Sequence, residues 1–155
     1  MNWDAVGAIG EIFGALAVVI TLVYLSRQLR EHTKSLKVQS MNTTFSEFNE
    51  LLKDIQSLDG IGATYRKALA DEELSADEEH EIGYLYRRIL NLNDKMRFLI
   101  KLDAADDYNQ AAFERAMPHT VKPKAFRKWW PQYRNRYSED FQLYVQEFLD
   151  ATDRD

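Results

Sequence analysis

The sequence predicts an all-α protein, with one N-terminal transmembrane helix extended into a small cytoplasmic helical bundle. Three observations carry this prediction. Residues Ala5 to Leu25 form a 21-residue apolar run. Downstream, apolar side chains recur at steps of three and four, with no convincing period-two alternation. Helix punctuation completes the pattern: a Gly60/Gly62 stop, a Ser75-x-x-Glu78 capping box and a capping Ser138. The 155 residues have room for one span and one small domain.

At a helical rise the apolar run spans roughly 31 Å, the thickness of a bilayer's hydrocarbon core. The leader Met1-Asn2-Trp3-Asp4 has no basic residue, and the run exceeds a signal peptide's apolar region. It is apolar nearly all round, unlike a helix on the surface of a small domain. Arg27, Arg30, Lys34 and Lys37 follow it and no cation precedes it. The positive-inside rule then places residues 1–4 outside, 5–25 across the membrane, a helical stalk over 26–58 and a helical domain over 59–155 in the cytoplasm. Trp3 and Tyr24 suit interfacial anchors.

On a helical wheel Gly7, Gly10, Gly14, Ala17 and Thr21 fall in one narrow sector, and Ile9, Ile12, Phe13, Leu16, Val19, Ile20 and Val23 lie opposite. Small residues in lipid let helix backbones approach closely, and Gly10-x-x-x-Gly14 matches the known association motif, so a helix–helix interface and a homo-oligomer are expected. Glu11 lies at the stripe's margin. A carboxylate there costs a few kcal/mol unless it meets protein, water or a proton. An interhelical hydrogen bond ranks first among its readings, ahead of a pore ring and a proton site.

No Pro or Gly interrupts 15–59, so the span should run on as a helix, with Asn42, Thr43 and Thr44 as a candidate break. Met41, Phe45, Phe48, Leu52 and Ile55 form a short heptad-like stripe. Beyond Gly60 and Gly62, a helix over 61–70 should bury Ile61, Tyr65 and Leu69. A helix from Ser75 to about Lys101 should bury Ile82, Leu85, Ile89, Leu92, Met96 and Leu99. Another is expected over 106–117, ended by Pro118. Ser138 should cap a last one with Phe141, Tyr144 or Val145, and Phe148 inward.

Between Lys122 and Arg136 lie six basic residues and no acid, interleaved with Phe126, Trp129, Trp130 and Tyr133. The first reading is an aromatic core with solvated cations. The second sets Lys122, Lys124, Arg127, Lys128, Trp129 and Trp130 against anionic lipid or a protein partner. Single-stranded nucleic acid ranks last, given the net charge of −5. Residues 71–81, with seven acids, are the natural counterpart of this basic stretch, within or between subunits. The chain has no cysteine and its three histidines lack ligand spacing. Glu78, Glu79, His80 and Glu81 diverge around a helix, and Asp103, Asp106 and Asp107 lack the glycine and glutamate of a calcium loop. No phosphate, dinucleotide, nucleophile or zinc motif is present, so neither a metal nor a cofactor nor a catalytic residue is expected.

Gly7-Ala8-Ile9-Gly10-Glu11-Ile12-x-Gly14-Ala15-x-Ala17-Val18, continued by Thr21-Leu22-Val23-Tyr24-Leu25-x-x-Gln28-Leu29-Arg30, resembles the N-terminal helix of a group of uncharacterised short bacterial single-span membrane proteins. Trp129-Trp130 before a final helix is similar to their pattern too. The resemblance implies a bacterial inner-membrane setting, a helical cytoplasmic region and a role for Glu11 within the span; it implies no activity. The expectation is a self-associating scaffold or partner-binding subunit in contact with lipid. An ion-conducting oligomer with Glu11 near the pathway is the alternative. An enzyme comes third, because the polar residues do not converge.

Overall fold

The computed structural model describes residues 3–104 and 107–154, and the side chains at 3–6, 8–10 and 107–110 are outside that description. The anchoring ring of Trp3, the surroundings of Gly10 and the carboxylates of Asp106 and Asp107 therefore lie outside the described residues. Among those described there is no strand. The chain divides into two compact units, 1–39 and 40–155.

Helix α1, Trp3–Gln56, begins in the first unit and ends in the second. The helix continues as expected, and the candidate break at 42–44 does not occur. Thr44 donates its hydroxyl to Ser40 O at 3.0 Å and is wholly buried, so a residue that favours turns is held in the helix by its own back-bond and by packing. In the second unit the buried face of α1 centres on Thr44 and Leu51, with Phe45, Phe48 and Ile55 beside them. Leu51, rather than Leu52 of the predicted stripe, reaches the core, at 1% exposure. Phe48 meets Phe113 at 4.6 Å between ring centroids.

The turn after α1 depends on both glycines. Gly60 has φ +58°, and a β-carbon on Gly62 would lie 2.1 Å from Ser57 O. Arg66 fastens this turn by donating to Ser57 O and Leu58 O at 2.8 and 2.7 Å. Helix α2, Ile61–Leu69, buries Gly62, Thr64, Tyr65 and Ala68. Leu69 is 45% exposed, so the predicted inward face was rotated by about one residue.

Two helices end on aspartate where glycine is usual. Asp71 and Asp103 adopt φ of 54° and 55°. After α2, Glu72 N–H bonds Lys67 O and Asp71 N–H bonds Ala68 O. After α3, Ala104 N–H bonds Leu99 O and Asp103 N–H bonds Ile100 O. Both are Schellman closures, which satisfy carbonyls that a helix end leaves open. Helix α3, Ala76–Lys101, starts at the predicted capping box, with Ser75 and Glu78 exchanging both bonds, and buries all six predicted apolar residues.

Helices α4, Asp107–Glu114, and α5, Met117–Val121, replace the single helix expected over 106–117. Pro118 lies in the first turn of α5, where its missing N–H has no intrahelical acceptor to lose, so it opens a helix instead of ending one. Helix α6, Lys124–Tyr133, passes through a 3₁₀ turn, Arg134–Arg136, to α7, Glu139–Thr152. Ser138 accepts from Phe141 N–H as predicted, and Phe141, Tyr144, Val145 and Leu149 are buried.

Candidate functional site

The apolar N-terminal part of α1 carries the first set of candidates. An 18-residue stretch of it reaches a mean hydropathy of 1.8, and among the described residues none of that stretch is buried. A soluble core helix passes the same length and hydropathy test but would be covered. Ile12, Phe13, Leu16, Val19 and Ile20 are each more than half exposed. By length and composition α1 is a candidate to cross a membrane. Three hydroxyls on it are satisfied internally: Thr21 donates to Ala17 O, Ser26 to Val23 O and Thr33 to Leu29 O, each at 2.8 Å. Thr21 therefore presents its methyl group, and the Gly7–Gly14–Ala17–Thr21 edge carries no unsatisfied hydroxyl. A β-carbon at Gly7 or Gly14 would meet nothing within 4 Å among the described residues. Glu11 is exposed on the same helix.

The basic-aromatic segment is the second set, and its rings form core. Phe126 is fully buried, Trp130 is 3% exposed and Trp129 8%. Phe126 sits edge-on to Tyr86 at 5.1 Å and stacks with Trp130 at 6.0 Å, while Trp129 stacks on Tyr133 at 4.9 Å. A β-carbon on Gly83 would lie 2.9 Å from Trp129 Nε1, so glycine at 83 lets α3 approach the indole. Neither Trp129 nor Trp130 is on the surface that the lipid or partner reading requires. The sequence pattern left both readings open because a Trp-Trp pair amid lysines looks alike in either setting; burial separates them.

The cations of the segment are mostly engaged. Lys128 pairs with Glu79. Arg127 donates to Asp153 Oδ1 and Thr152 Oγ1 at 2.5 and 2.9 Å. Asp71 accepts from the backbone N–H of Lys124 at 2.8 Å, with the Lys124 ammonium 3.9 Å away. Lys122 is exposed. The acidic 71–81 stretch thus meets the basic stretch within one chain. The Asp71 contact also has a structural consequence. Pro123 gives α6 no side-chain cap, so the carboxylate turned outward by the left-handed Asp71 caps α6 from a distant point in the sequence.

Elsewhere, pKa shifts follow burial and pairing. The Glu78 carboxyl, bonded to Lys67 and to Ser75, is held down to about 2. Burial pushes the Tyr137 and Tyr144 phenols up to about 12, and Tyr86 higher. Asp94 is raised by burial despite Arg97 and Lys101 nearby. Among the described residues no cluster of three His, Asp or Glu could hold a metal. Buried polar atoms without a hydrogen-bond partner among the described residues include Tyr86 Oη, Asn93 Oδ1 and Tyr137 Oη. Sequence reasoning missed Asn93. Its signal was an amide four residues after Ile89, in register with the apolar face of α3.

Compared with known family models, curated proteins and solved structures, the chain matches none.

Proposed function

We propose that the protein is a single-pass inner-membrane protein of bacterial type that self-associates along its small-residue edge and presents residues 40–155 in the cytoplasm as a scaffold or partner-binding domain. The observation that carries this reading is an apolar helix left uncovered among the described residues, bearing small residues on one side and bulky ones opposite. Flat Gly/Ala/Thr edges gain dispersion contacts when two such helices approach, whereas bulky faces suit lipid. The cations at 27–37, with none before the span, support the orientation. The mass of the assembled full chain in lipid nanodiscs tests the proposal, which requires more than one protomer per disc.

The exposed Glu11 carboxylate favours a second reading, an ion-conducting oligomer in which this acid sets cation preference. Glu11→Gln separates the two. A scaffold keeps its oligomer and leaves bilayer conductance at background, whereas a channel conducts in the wild type and changes selectivity in the variant.

A further inference from the structure

Within the first unit, α1 keeps an uncovered leucine face that runs on past the apolar stretch. Leu22, Leu25, Leu29 and Leu36 are each more than half exposed, and His32 among them is exposed too. At 100° per residue these five fall in a sector of about 80°. Leu29 and Leu36 lie beyond Leu25, where the apolar run ends, so their side chains stay uncovered on a stretch of helix that is otherwise polar. The charges of that stretch are turned away. Arg27, Arg30, Glu31, Lys34 and Lys37 occupy a sector of about 120° on the opposite side. The flanks of the leucine face, at Ser26, Gln28, Thr33 and Ser35, are uncharged.

This placement of charge selects the occupant. With four cations and one acid on the segment, two copies laid side by side would repel if those side chains flanked the contact. Instead, with Leu22 taken as position a of a heptad, all five sit at the outer positions b, c and f, and the flanking e and g positions are neutral. A charged partner segment would find no counter-charge on those flanks. Copies inserted in one membrane run parallel at one depth, so Leu29 meets Leu29 and Leu36 meets Leu36. The small-residue edge also leads into this face. From Gly7 through Thr21 and Leu25 to Leu36 the seam advances by steps averaging about 3.6 residues, the period of a straight helix, so a neighbour on the first part lies along the second. His32 is the one polar residue of the face, and coiled coils accommodate a single polar core position at some cost in stability. We propose that a second copy of this chain covers the Leu22–Leu25–Leu29–Leu36 face, in a parallel coiled-coil contact that carries the assembly beyond the apolar run. The contact presupposes the self-association proposed above: about four turns of helix are marginal alone, so it follows the meeting of the apolar segments.

The chain has no cysteine, so single cysteines report the contact directly. Full-length Leu29→Cys, Leu36→Cys and Lys34→Cys are each reconstituted in liposomes without any other protein and oxidised with copper phenanthroline. All three sites are exposed in the single chain, so no variant removes a core side chain. Disulfide-linked dimer should form at least tenfold faster at 29 and at 36 than at 34, because paired face residues approach to bonding distance and position 34 points away. The wild-type mass in nanodiscs is measured alongside. If it shows more than one protomer but 29 and 36 link no faster than 34, the proposal is overturned while the small-residue edge stands; the leucine face then belongs to a different protein or to lipid headgroups. A single protomer overturns both. Links at 29 and 36 that persist in Gly10→Leu with Gly14→Leu would keep the leucine contact and place the fault in the small-residue edge.

Discussion

Replacing Trp130 by alanine separates the two roles its sequence context allows. The indole is 3% exposed and contacts Phe126, Trp129 and Tyr137, at centroid distances of 6.0, 6.5 and 5.6 Å. A Trp side chain buries about 150–250 Å². At about 25 cal/mol per Å² this gives an upper bound of roughly 4–6 kcal/mol, and large-to-small aromatic substitutions in cores cost about 3–5 kcal/mol. Domain stabilities run to about 5–15 kcal/mol, so the variant should remain folded with little reserve. With a urea slope of about 2 kcal/mol per M, the unfolding midpoint of the 40–155 unit should fall by about 2 M. Urea titration of the full chain in nanodiscs, followed by the fluorescence of Trp129, reads this directly. Lys122→Ala, at an exposed neighbour, should shift it by less than about 0.5 kcal/mol. A midpoint within 0.3 M of wild type, together with lost vesicle affinity, would refute the core assignment.

Other predictions follow from the local geometry. Glu78 titrates near 2 when folded and near its ordinary 4.5 when unfolded, so its contribution is complete above about pH 5 and fades towards pH 2. Glu78→Gln should flatten that part of the acid-denaturation curve, and an unchanged slope would contradict the pairing. Asp71→Gly keeps the left-handed turn but removes the distant cap from α6, and should cost about 1 kcal/mol by chemical denaturation. A neutral result would mean that water caps α6 equally well. Reversing Lys128 to Glu, or Glu79 to Lys, should each lower stability by up to about 1 kcal/mol, and the double reversal should restore it. Failure of the double variant to recover would remove the pair from the account.

The helical class and most helix starts were legible because capping is local. Ser75 and Ser138 announce α3 and α7 within four residues. Helix ends were harder. Asp71 and Asp103 perform a closure usually marked by glycine, and nothing in their neighbours signals it. Pro118 was assigned to a helix end because proline both stops and starts helices, and only the position of Met117 decides which. The domain was drawn from Asp59, at the first glycine turn, whereas packing gathers residues from Ser40 onward. Thr44 and Leu51 reveal the reason: a helix that crosses a unit boundary without a break carries no mark of it in its backbone. Of the candidate sites, the small-residue edge is periodic and therefore readable. Asn93 depends on what α1 and α5 place around it, which no local pattern contains.

The central claim is assembly along the Gly7–Gly10–Gly14–Ala17–Thr21 edge, and the mass of the full chain in lipid nanodiscs tests it most directly. Wild-type protein should give a defined multiple of its 18.1 kDa protomer. Gly10→Leu with Gly14→Leu should reduce that multiple to one while far-UV circular dichroism and the denaturation midpoint stay unchanged. A single protomer in the wild type, or a variant that assembles as the wild type does, would contradict the account.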